Sequence, residues 1–143
     1  MVRRLTDPSV EGRGFSVRSL YTEAVLLPIL GPASVLCLRR LGACAASRPA
    51  GVELDTRALA RDLGLGDQLT RNSAITRTLN RLCQFDMAHW SGAELSVRTT
   101  VAPLPSRYLL RLSPELRSLH QTMVAQKINS PSAPESPMPG VEL

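Results

Sequence analysis

A chain of 143 residues has room for one domain of ordinary size plus tails, and a hydrophobic share of 43% is enough for a core. Aromatic residues make up only 3%, so that core rests on Leu, Val, Ile and Ala, and a stacking platform for single-stranded nucleic acid, which needs several exposed rings, is disfavoured. The net charge of +5 makes a polyanion a partner to consider, although nearly all the basic residues are Arg and base composition alone can produce that bias.

Residues 1–20 carry Arg3, Arg4, Arg13 and Arg18 among Gly, Ser and Pro with little periodicity, which reads as a disordered basic arm. The segment lacks the apolar stretch of a secretory signal, and the longest apolar run, Ala24 to Leu30, is interrupted by Pro28 and far too short to span a bilayer. A cytoplasmic protein with no membrane contact is therefore expected. Cys37, Cys44 and Cys83 include no C-x-x-C pair and lie far from both His, so neither a disulfide framework nor a metal site is expected. They read as small buried hydrophobes.

A domain is expected over 21–127. Pro28 limits its first element to a short helical or extended lead-in at 21–27. A long helix then starts with Gly31 as cap and Pro32 in the first helical position. Val35, Leu38, Leu41 and Ala45 mark its buried face, and Gly42 implies close packing against a neighbour. The turn SRPAG ends it, and GVEL at 51–54 suits a very short strand.

From Asp55 to Gln84 the pattern is helix, Gly-punctuated turn, helix. Asp55 is a good N-cap; Ala58, Leu59 and Leu63 form the apolar stripe, and Gly64 supplies the left-handed residue that closes the last turn. The second helix is expected over 72–84. Ile75, Leu79 and Leu82 cluster on one side, and Ser73, Arg77, Asn80, Arg81 and Gln84 on the other, with Thr76 at the border. No acid occurs between Arg71 and Gln84. Arg pairs bidentately with guanine, Asn and Gln with adenine, and Ser or Thr with base or phosphate, so this side-chain set suits the major groove of a duplex. The bland alternative is a solvated polar face.

Residues 85–90 and 94–101 flank a Ser-Gly turn, and alternation of Leu95, Val97, Thr99 and Val101 with polar residues predicts a half-buried hairpin strand. A short helix, or a strand, follows at 106–112, then a longer helix that begins at Ser113-Pro114. Its stripe of Leu112, Leu116, Leu119 and Met123 must be covered, either by the first long helix or by its copy in a homodimer. The Pro/Ser-rich stretch 128–143 is expected to be a disordered tail.

The order helix, short strand, helix, helix, hairpin resembles the winged helix-turn-helix superfamily over roughly 31–101. The residues that carry the likeness are Leu59, Ala60, Leu63, Gly64 and Leu65, the Ile75/Leu79/Leu82 stripe, and the hairpin after Phe85. The resemblance implies a mainly α fold with a small antiparallel β hairpin, and double-stranded DNA as partner of a transcriptional regulator. It would put Ser73, Thr76, Arg77, Asn80 and Arg81 at the DNA and Arg98 on the wing; phosphate contacts are expected from Arg71, Arg98 and Arg107. A two-fold dimer would read a palindrome. Two features depart from the pattern: the connector 65–71 is long, and the wing tip 91–94 carries no cation and one acid. Winged helices also serve as protein-interaction modules, which is the alternative function. His89 and His120 have no nucleophile near them in sequence, and neither paired carboxylates nor a phosphate-binding Gly loop is present, so neither an enzyme nor a cofactor is expected.

Overall fold

The structure, a computed structural model, describes residues 1–5, 10 and 12–129. Of the predicted tail 128–143, residues 128–129 end a helix, and those from 130 onward lie outside the described residues. The chain is mainly helical with two small sheets. Its strands are β1 (Val2–Leu5), β2 (Phe15–Ser16), β3 (Ala88–Ser91), β4 (Glu94–Arg98) and β5 (Thr100–Val101). A π-helical turn, Thr22–Leu26, leads into α1 (Leu27–Leu30), followed by α2 (Pro32–Ser47), α3 (Thr56–Asp62), α4 (Ala74–Gln84), α5 (Ser106–Leu109) and α6 (Pro114–Asn129). Among the described residues no helix is long and apolar enough to cross a membrane.

Helix α2 is the centre. It begins where Gly31, at φ 85°, makes a turn open to few other residues, and Pro32 presets the first helical φ. Val35, Cys37, Leu38, Leu41 and Ala45 on α2 are buried against α1, α4 and the sheet. The lead-in is helical despite Pro28. A proline ring collides with the carbonyl four residues back and offers no N–H, and the π-helical turn immediately before it widens the backbone where that conflict arises.

The largest difference from expectation is the N-terminal segment. Val2–Leu5 is not an arm but a strand lying parallel to β4, in a sheet ordered β1-β4-β3. Phe15–Ser16 pairs antiparallel with Thr100–Val101. Val2, Phe15 and Val17 are core residues, and Phe15 stacks on Tyr21 with ring centroids 4.0 Å apart. The two strand pairings join residues some ninety positions apart in sequence, and no local period announces them. The same segment explains Gly42: a Cβ there would meet Val17 Cγ2 at 2.6 Å, so the close neighbour inferred from the glycine is Val17.

The sheet is therefore mixed rather than purely antiparallel. The hairpin β3–β4 forms as expected, with Gly92 at φ 60° first in a two-residue loop, where a II′ turn requires glycine. The predicted strand over 94–101 is two strands. It breaks at Thr99 so that β5 leaves for β2, yet Leu95, Val97 and Val101 still alternate into the core. The expected strand at 51–54 is a single bridge, Val52 with Val2.

Helix α6 lies back on the π-helical turn rather than on α2. Leu112 is buried, while Leu116, Leu119 and Met123 are half-buried against the core. His120 is only 7% exposed. Its Nδ1 sits 2.7 Å from the Tyr21 hydroxyl, which also accepts the Leu104 N–H at 2.9 Å. Burial pushes the His120 pKa below its usual value, which favours the neutral imidazole.

Candidate nucleic-acid interface

Helices α3 and α4 are built by the signals read from sequence. The Asp55 carboxylate accepts the Ala58 N–H at 3.1 Å, capping α3. At its other end Gly64 has φ 72° and the Leu65 N–H reaches back to the Ala60 carbonyl at 2.8 Å, a left-handed closure that satisfies an orphan acceptor. Helix α4 closes in the same way, with Met87 N–H on the Leu82 carbonyl at 2.8 Å, but its left-handed residue is Asp86, at φ 62°. An aspartate tolerates that conformation better than most residues. Arg98 holds it there, donating through Nε to the Asp86 carbonyl (2.6 Å) and through Nη2 to its carboxylate (2.8 Å).

That pairing corrects one site residue. The Arg98 side chain, 12% exposed, braces the corner between α4 and the hairpin and is not extended on a wing. Arg81 is a second correction. Its Nε donates to the Leu30 carbonyl at 2.7 Å and its Nη2 to the Ile29 carbonyl at 2.8 Å. Arg81 thus covers the bare carbonyl end of α1, where a cation is favoured, while its guanidinium lies 5.1 Å from the Phe85 ring centre. Ser73 is a third: it is buried, and its hydroxyl contacts the Thr70 carbonyl and Thr76 Oγ1, both at 2.9 Å. Thr76 is half-buried and also donates to Thr70. These two residues fasten the connector to the first turn of α4.

The outward face that remains is narrower than the one expected. Arg77, Asn80 and Gln84 are exposed along α4, with Arg71 and Asn72 exposed at the N-terminal end of the helix. Arg107 is exposed at the other end, over the ring of Tyr108, which itself packs beside Phe85. Opposite this stripe Ile75, Leu79 and Leu82 are buried, so the helix is held by its apolar side and presents its polar side. At a rise of about 1.5 Å per residue, the helix exposes a rod roughly 16 Å long. The acid at the hairpin tip, Glu94, is paired with Arg3 of β1 at 3.3 Å.

Other chemistry is sparse. Burial pushes the Cys37 thiol up to about 12 and raises Cys83 as well, which makes both poor nucleophiles. Among the described residues no group of His, Cys, Asp or Glu is placed to hold a metal ion. Sequence reasoning missed the inward turn of Arg81 because its acceptors are backbone carbonyls some fifty residues away, which no side-chain pattern encodes. Comparison with protein-family models, curated proteins and solved structures gives no match to this chain.

Proposed function

We propose that this protein binds double-stranded DNA as a transcriptional regulator, laying the exposed stripe of α4 in the major groove. The reading draws on one observation above all: a helix anchored by Ile75, Leu79 and Leu82 presents Arg77, Asn80 and Gln84 to solvent with no acid among them. Arg77 is the candidate for guanine, Asn80 and Gln84 for adenine, and Arg71 and Arg107, at the two ends of the stripe, for flanking phosphates. A helix pair followed by a hairpin is the arrangement a winged helix requires. Here, however, the strand added to the hairpin is β1, from the N-terminal segment and parallel.

Duplex affinity measured against rising salt tests the proposal. Binding is expected to fall linearly in log-log form, because neutralised phosphates release counterions. On a selected site, Arg77→Ala is expected to cost about 1–3 kcal/mol and to relax preference at one base pair. Binding that is absent or indifferent to salt favours the alternative, a protein-interaction module. That reading has its own observation: Trp90 on the hairpin and Leu69 in the connector are 41% and 47% exposed.

A further inference from the structure

Between the N-terminal end of α2 and the flank of α4 runs a shallow groove of about 350 Å³, lined among others by Ala33, Ser34, Arg77 and Arg81 and by no acidic residue. Three kinds of donor converge on it. Helix α2 is 16 residues long, and its first free amides are those of Ala33 and Ser34, because Pro32 has no N–H and the Gly31 N–H is bonded to the Leu27 carbonyl at 2.8 Å. The helix dipole adds partial positive charge at the same place. The Ser34 side chain is the independent sign of a ligand. The residue is only 3% exposed, it lines the groove, and its hydroxyl has no hydrogen-bond partner among the described residues. Its neighbour across the groove, Thr78, is also buried but donates to the Ala74 carbonyl at 2.8 Å. Arg77 is exposed and supplies a full charge, and Arg81, fixed on the α1 carbonyls, supplies another.

We infer that this groove is a phosphate-binding site, in which the Ala33 and Ser34 amides, the Ser34 hydroxyl and Arg77 hold one phosphate group. Two amides and a hydroxyl at a helix start, flanked by guanidinium groups, match the oxygens and charge of a phosphate, and the openness of the groove admits a phosphodiester in a continuous backbone. Resting on the DNA reading, this deepens it: the phosphate held at α2 fixes how far along the groove α4 sits, and Arg77 stands at the boundary between backbone and base contact. A free phosphate monoester has the same recognising chemistry and is distinguished by the test.

The test uses the full chain with two variants and two probes. In Ala33→Glu, a carboxylate enters the first turn of α2, where it favours the helix but repels a phosphate; Ser34→Ala removes only the hydroxyl. Both variants are expected to keep the thermal midpoint of the wild type. Ala33→Glu is expected to weaken binding to a labelled random duplex by about tenfold or more and to reduce the log-log salt slope by about one, with about threefold weakening for Ser34→Ala. If the wild type binds duplex and a folded Ala33→Glu variant keeps its full salt slope, the inference is overturned while the DNA reading stands. If the wild type does not bind duplex, the DNA reading falls, and inorganic phosphate decides the groove. Saturable shifts of the Ala33 and Ser34 amide resonances, absent with chloride and in Ala33→Glu, uphold a free-phosphate site; unmoved resonances overturn it.

Discussion

Residues 55–84 and residues 1–20 make opposite cases of how sequence becomes structure. In the first region each signal acts within a few residues: Asp55 caps the amide three positions on, Gly64 closes the turn just finished, and Ile75, Leu79 and Leu82 recur with the helical period. In the second, the stabilising partners are far away. Val2 lies opposite Leu95, Phe15 opposite Val101, and Val17 against Gly42. A basic, glycine-bearing segment whose strand partners lie far along the chain has the composition of a free arm, although its apolar residues are spaced to reach three separate parts of the core. The difference teaches that local periodicity reports which elements form, while the edge strand that completes a sheet is set by tertiary pairing.

The largest effect expected from this contrast is that of Phe15→Ala. A mobile arm predicts no change, whereas loss of a buried ring stacked on Tyr21 is expected to cost about 3–5 kcal/mol in urea unfolding. Next, Arg81→Ala and Arg77→Ala separate the two sides of α4. Arg81→Ala leaves the α1 carbonyls without their charged donor and is expected to lower stability by about 2 kcal/mol, while Arg77→Ala is expected to stay within about 0.5 kcal/mol. Equal losses would show that the helix does not divide the two roles in this way. Smaller again is Gly42→Ala. Helix propensity favours alanine by about 1 kcal/mol, but the clash with Val17 is expected to outweigh it by about 1 kcal/mol. A stabilised variant would mean that Val17 does not pack there.

The smallest effect concerns His120. Its pKa is lowered in the folded protein by burial, so the unfolded chain binds a proton more readily. The contribution to stability is present above the ordinary value of 6.5 and is lost as pH falls through the lower folded value. Urea midpoints taken across this range are expected to decline toward acid, and His120→Gln is expected to remove this part of the decline.

Much of the helical framework was legible, including the Gly31-Pro32 start, the Asp55 cap, the Gly64 stop and the hairpin at Gly92. The site was legible only in part. Periodicity separated the Arg77 and Asn80 side of α4 from its apolar side, yet it assigned Arg81 and Ser73 to the outer face. Arg81 lies at the angular edge of that face, and its long side chain bends to carbonyls at the end of α1. Arg98 was misassigned because the left-handed Asp86 it restrains cannot be seen in a strand pattern. Ser34 gave no signal at all, since a serine in the first turn of a helix is ordinary until its burial and missing partner are known.

The most direct test of the central claim is to map amide and side-chain resonances of the full chain as duplex DNA is added. Changes centred on Arg71, Arg77, Asn80 and Gln84, with the Tyr21–His120 region unmoved, are the predicted result. Changes confined to Trp90 and Leu69, or none at any duplex concentration, would contradict it.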